Sequence, residues 1–113
     1  MFTPINIGLT TEKIAQATRK AVHITTQQAL KDCNYYCKQD TSVLINSSII
    51  HSDFEKGIIK WQTPYAKKQY YLKRTLTEKN PQARWMWAHY AKSVHKKEWF
   101  KMFEKACKRF ANE

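Results

Sequence analysis

The sequence predicts an α+β fold: a long N-terminal helix and C-terminal helices packed on a small antiparallel β-sheet or hairpin. Three observations carry the prediction. Apolar and polar residues separate at helical spacing over 11–37. Two β-branched runs, Ser47–Ser52 and Ile58–Gln62, flank a polar segment that ends in Gly57. A second helical stripe returns over 82–111. A lone hairpin is marginal in water, so it needs the helices or a further strand to cover it.

The first helix opens near Thr10 or Thr11, whose hydroxyl can accept an orphan amide, and Glu12 suits the positive helix end. Lys13, Gln16, Lys20, His23, Gln27, Lys31 and Asn34 fall on one face. Ile14, Ala17, Ala21, Val22, Ala29, Cys33 and Tyr36 fall on the other, which its alanines make narrow enough for a close neighbour. His23 lies on the polar side and reads as an exposed histidine.

Lys38–Ser42 breaks the helix, and Asp40 or Thr41 can cap a short turn through Val43 and Leu44. In the hairpin, about 47–62, alternation puts Ile49 and His51 on one face and Ile50 and Ser52 on the other; Ile59 and Trp61 share a face in the second run. Thr63-Pro64 ends it, and 65–72 starts as a short helix or an extended segment. Residues 75–81 form a polar loop, with Asn80-Pro81 a turn signal and Pro81 suited to the first turn of the last helix. In that helix Trp85, Ala88, Ala91 (or its neighbour Lys92), His95, Trp99, Phe103, Ala106, Cys107 and Phe110 make the apolar stripe, opposite Lys96, Lys97, Lys101, Lys105, Lys108 and Arg109.

The length, 113 residues, fits a single domain over 1–113. With 42% hydrophobic and 13% aromatic residues the chain is not composed like a disordered one. Two glycines exclude a glycine-rich phosphate loop. No apolar run approaches a membrane span, and Met1-Phe2-Thr3-Pro4 lacks the layout of a signal peptide, so the expectation is a soluble protein that folds in a cytoplasm and contacts no membrane. The formal net charge is +11, from 20 Lys+Arg against 9 Asp+Glu. Six basic and five acidic residues lie in 1–57, and fourteen and four in 58–113, so the excess belongs to the C-terminal half. Such a half can meet nucleic acid, an anionic membrane or an acidic protein surface, or be simply a solvated helical face.

Three cysteines, Cys33, Cys37 and Cys107, read as free thiols buried in a core. A zinc site with His89 and His95, or a nucleophile–base pair with Cys37, lacks both the ligand spacing and any supporting element. No nucleophile elbow, Walker loop or metalloprotease motif occurs. No catalytic residue, cofactor or metal is therefore expected, and the chain reads as a non-enzyme.

The aromatic residues carry more information. Trp85, Trp87, Tyr90, Trp99 and Phe100 interleave with Arg84, Lys92, Lys96 and Lys97, a composition suited to protein interfaces or to stacking on bases. Four tryptophans exceed what one small core buries fully. Trp85 and Trp99 match the stripe and read as core, while Trp87 points about 200° away from Trp85 and reads as an exposed contact. The interface candidates are Trp87, Tyr70, Tyr71 and Tyr90. The basic-surface candidates are Lys67, Lys68, Lys73, Arg74, Lys96, Lys97 and Lys101, and the 73–80 loop is a candidate docking element.

Motif order then points to a family. After the first helix come Tyr35-Tyr36-x3-Asp40-Thr41-Ser42-x-Leu44-x2-Ser47 and Ile59-x-Trp61-x2-Pro64-Tyr65-Ala66-x3-Tyr70-Tyr71. Asn80-Pro81-x-Ala83 and Ala91-Lys92-x2-His95-x3-Trp99 follow. The arrangement resembles the small minor capsid, or neck, proteins encoded in the head–tail joining region of tailed bacteriophages, with Ser42 standing where that pattern usually has Gly. The resemblance implies a structural virion protein at the portal–tail junction, acting as a ring or collar subunit and assembled in the bacterial host cytoplasm. Its implied partners are other head–tail connector and tail proteins, with non-specific contact to packaged DNA an option for the Lys-rich face. The alternative is a small basic nucleic-acid-binding protein of another class.

Overall fold

The computed structural model describes residues 11–38, 43–73 and 80–112. Four helices follow one another: α1 (Thr11–Tyr35), α2 (Val43–His51), α3 (Ala66–Tyr71) and α4 (Trp87–Ala111). No sheet is formed among the described residues; their β pairing is one isolated antiparallel bridge between Asp53 and Ile58. The α+β expectation is thus corrected to a mostly helical fold.

Helices α1 and α4 form the principal packing pair. Each has 25 residues, so each runs about 37 Å at 1.5 Å per residue. Small buried residues line them, Ala17, Ala21, Ala29 and Cys33 on α1 and Ala91 and Ala106 on α4, and small side chains let two helix axes approach closely. Helix α1 ends by tightening: the Tyr36 amide donates to the Cys33 carbonyl at 3.1 Å and that of Cys37 to Asn34 at 3.3 Å. Its end lies two residues short of the expected 37.

The predicted 47–62 hairpin is replaced in its first half by α2. The buried residues Leu44, Ser47 and Ser48 sit at i, i+3 and i+4, a helical face that β-branched neighbours disguised. The serines remain satisfied inside the helix because Ser47 Oγ donates to the Leu44 carbonyl and Ser48 Oγ to that of Ile45, each at 2.6 Å. Their small size seats α2 against α1, where Asn34 Nδ2 donates to Ser48 Oγ at 2.9 Å. Ile49 and Ile50 consequently point outward.

The turn of that hairpin does form. Asp53 and Ile58 exchange both backbone hydrogen bonds at 2.9 and 3.0 Å, and Gly57 takes φ +69°, where a Cβ would be strained and would meet Val22 Cγ1 at 3.2 Å. The turn lies on α1, with Glu55 3.1 Å from His23 Nδ1 and the Phe54 ring edge-on to the same imidazole. His23 is accordingly partnered by this turn.

The polar caps proposed at Asp40 and Thr41, and most of the 73–80 loop, lie outside the described residues. The last helix begins at Trp87, five residues after the expected 82. Pro81 falls in a separate turn, and Arg84 returns to α1's end by donating its amide to the Tyr36 carbonyl at 2.9 Å. Met86 then starts α4 with φ 50° and ψ 48°, the left-handed region that a non-glycine residue enters at a cost. Its amide donates to the Tyr70 carbonyl at 2.7 Å, which fixes the turn against α3.

Candidate assembly surface

One end of the molecule is a hub where the end of α1, α2, α3 and the start of α4 converge. Its apolar centre is Cys37, Leu44, Ala66 and Trp87, with Trp61 and Tyr70 packed on it. Trp87 is fully buried, edge-on to Trp61 at 5.6 Å and to Tyr70 at 4.7 Å. Burial pushes the thiols of Cys33 and Cys37 from an ordinary 9.0 up to about 12, Cys33 further helped by the charge of Asp32 and Cys37 by its neighbour Cys33. They are inert core groups under these conditions.

Polar side chains close the hub. Lys38 is buried, and its Nζ donates to the Gln69 carbonyl at 2.8 Å and to that of Leu72. These are carbonyls at the end of α3, so the ammonium complements a helix C-terminus; burial lowers its pKa. Asn34 bridges α2 and the 59–63 segment, since its Oδ1 accepts from Trp61 Nε1 at 2.9 Å. Asn80 Nδ2 donates to the carbonyls of Tyr35 and Cys37 at 2.9 and 2.8 Å. The turn signal at Asn80 is therefore also a tie to α1.

The expected interface residues divide. Trp87 is corrected outright: the start of α4 turns it into the hub, where α2 and α3 cover a direction that a lone helix would leave open. Trp85, expected in the core, is 40% exposed, with Lys73 Nζ 5.4 Å from its ring. Tyr70 is half-buried and tied inward. Its hydroxyl accepts the His89 backbone N–H at 3.1 Å and is hydrogen-bonded to the His89 ring, and its pKa is raised chiefly by burial. Tyr90 is half-buried under the Arg84 guanidinium, 4.2 Å from the ring centroid. Tyr71 is 55% exposed.

Of the basic candidates, Lys67, Lys68, Lys73, Lys96, Lys97 and Lys101 are exposed, and Arg74 lies outside the described residues. Lys67 and Lys68 belong to α3, whereas Lys96, Lys97 and Lys101 belong to α4. The structure thus gathers only part of the set on one helix. All seven cations of α4 are exposed, and none makes an ion pair among the described residues. Two surface grooves flank α4. One, of about 440 Å³, is lined by Thr25, Lys92, Lys96, Trp99, Phe100 and Phe103. The other, about 480 Å³, includes Ile24, Glu98, Lys101, Met102, Lys105 and Phe110.

The sequence reading missed Lys38, Asn34 and the outward Ile49–Ile50 pair. Nothing in a lone sequence separates a buried lysine from a solvated one. The isoleucines were findable, because a helical wheel through Leu44, Ser47 and Ser48 puts Ile50 outside. Among the described residues, no group of three His, Cys, Asp or Glu is placed to hold a metal. No helix of the described residues is long and apolar enough to cross a membrane.

These features define a small helical protein whose burial and hydrogen bonding serve cohesion and whose exposed side chains offer surfaces for contact. A family model described as minor capsid protein matches residues 3–107. The chain belongs to that minor capsid family and is a bacteriophage structural protein, a component of the virion. No curated protein and no solved structure matches it.

Proposed function

We propose that the chain is a neck subunit at the head–tail junction of the virion, assembling as a ring or collar between connector and tail proteins. The family match over residues 3–107 carries the reading, and the order of the Asp-Thr-x-x-Leu and Trp-x-x-Pro-Tyr-Ala segments supports the neck location within that family. Exposed aliphatic residues fit such a subunit. On α2, Val43, Ile49 and Ile50 are 53%, 56% and 74% exposed, more apolar surface than a short helix of an isolated domain usually shows. Tyr71 and Trp85, elsewhere in the chain, are exposed as well. The partners are neighbouring copies and other connector and tail proteins, and assembly takes place in the host cytoplasm. The reading as a non-enzyme accompanies this role.

Cryo-electron microscopy of intact virions tests the proposal. The expected result is density for α1 and α4 repeated around the portal axis; density elsewhere in the particle would remove the neck location while leaving the capsid family membership intact. Mass spectrometry of purified virions should detect the chain in several copies per particle.

The unpaired cations of α4 favour a second reading, contact with packaged DNA. That contact would be to phosphates and independent of sequence, so log affinity should fall steeply with log salt. A protein that binds no duplex at low salt has no such role.

A further inference from the structure

The two grooves beside α4 differ in charge. Glu98 lies in the groove with Lys101 and Lys105, but among the described residues no carboxylate lines the groove of Lys92, Lys96, Trp99, Phe100 and Phe103. Asp32 reaches that groove's tryptophan, and it is committed. Its Oδ2 accepts from Trp99 Nε1 at 2.7 Å and its Oδ1 from Gln28 Nε2 at 3.0 Å. Lys92 and Lys96 therefore stand at the rim of an aromatic trough with no counter-charge among the described residues. Phe100, 59% exposed, stands beside them. Lys92, Lys96, Phe100 and Phe103 are spaced by four, four and three residues, so cations and apolar anchors follow one helical line about 17 Å long.

This is a mixed surface, and the mixture selects its occupant. Phosphates would use the lysines and leave Phe100 and Phe103 without a partner. A second copy of this chain is poor in carboxylates, with 9 Asp+Glu against 20 Lys+Arg, and so brings little complementary charge. A segment with carboxylates beside apolar side chains satisfies both components, as in helix-in-groove recognition. We propose that this groove receives an acidic, amphipathic segment of a different virion protein. The inference rests on the virion role proposed above and names the partner chemistry of one face.

The purified full chain can be tested by fluorescence anisotropy against three probes. The first is a labelled synthetic helical peptide carrying Glu residues and a Leu/Phe stripe. The second is the same peptide with that stripe changed to Ser, and the third is a short labelled DNA duplex. The first peptide should bind at least about tenfold more tightly than the second, and Phe100→Ala should remove about tenfold, the effect of a modest interface anchor. Lys92→Glu should weaken the first peptide several-fold more than Lys101→Glu, which changes net charge identically on the other flank. Equal binding of both peptides, or equal effects of the two charge reversals, would overturn the groove assignment, because either outcome reduces the contact to overall charge. Tight duplex binding insensitive to Phe100→Ala, with weak binding of the first peptide, would overturn it in favour of DNA. Phe100 is exposed, so the variant should fold, and unchanged far-UV circular dichroism checks this. Failure here leaves the neck location standing, since that is read from the virion; conversely, peptide binding could persist in a protein located elsewhere in the particle.

Discussion

Along the seam between α1 and α4, buried residues are small: Ala17, Ala21, Ala29, Ala91 and Ala106. At the hub, one tryptophan fills the centre while Asn34, Lys38 and Asn80 reach across to elements distant in sequence. The seam gains its cohesion by repetition, many modest contacts spread over about 37 Å of helix. The hub gains it from a few groups: Asn34, Lys38 and Asn80 have named hydrogen-bond partners, while the Trp87 ring is held by Trp61 and Tyr70 and its buried Nε1–H has no hydrogen-bond partner among the described residues. The difference teaches where the chain tolerates change. A repeated contact loses little when one member alters, whereas a hub polar group that loses its partner remains buried and unsatisfied, which costs more than the hydrogen bond itself. The outward side of α4 is free to carry charge because the seam needs only its inward stripe.

The largest expected effect follows from Trp87. Trp87→Ala should lower stability by about 3–5 kcal/mol, because it empties the fully buried centre against Trp61 and Tyr70. A loss under about 1 kcal/mol in urea unfolding would mean that the hub is no more critical than the seam. Asn34→Ala comes next, at about 1–3 kcal/mol, since it strands Trp61 Nε1 and deprives Ser48 Oγ of its donor.

Alkaline pH sharpens the same contrast. Folded Cys33 and Cys37 hold their protons to about 12, whereas unfolded thiols begin to ionise near an ordinary 9.0. Between these values the unfolded chain binds fewer protons, so stability falls as pH rises, by about 1 kcal/mol per thiol at pH 10. Lys38 acts with the opposite sign: its lowered pKa makes the unfolded amine bind more protons, so its contribution rises with pH below its ordinary 10.5. Urea midpoints at pH 8 and 10 should show the thiol loss, and a Cys33→Ala/Cys37→Ala chain should lack it. An unchanged drop in the double variant would assign the effect to other groups. The smallest effect belongs to the outer face: Lys105→Ala should stay within about 0.5 kcal/mol, being exposed and without an ion-pair partner among the described residues.

The same contrast explains what was legible in the sequence. The seam is periodic, so the spacing of Ala17, Ala21 and Ala29 located α1, and the Trp99–Phe110 stripe located most of α4. The buried thiols of Cys33 and Cys37 were legible too, because free cysteine is small and apolar, whereas Cys107, expected in the core with them, is only half-buried. The hub was not. Trp87 was misplaced because its direction on α4 faces solvent unless α2 and α3 are already there. Ser47–Ser52 read as a strand because Ile49 and Ile50 carry β propensity, yet the face that packs belongs to Leu44, Ser47 and Ser48. The serines' bonds to backbone carbonyls, which settle the matter, have no signature in a sequence. The candidate assembly surface was half legible: cations along α4 showed, but which stood beside an aromatic trough depended on how α1 lies against it.

The separation of the seam's two halves along the chain has a consequence during synthesis. Asp32 meets Trp99 67 residues later, so the face of α1 that packs on α4 stays uncovered until the final helix emerges, although α2 and the 53–58 turn can reach α1 earlier. Between residue 35, where α1 ends, and residue 111, where α4 ends, a ribosome working at about 5–20 residues per second takes roughly 4–15 s. During that interval the alanine face of α1 is open to chaperones and to other nascent chains. Pairing of such distant segments also closes long loops, which slows folding relative to neighbouring-helix bundles. The last quarter of this protein is thus the part that commits the first quarter to its structure.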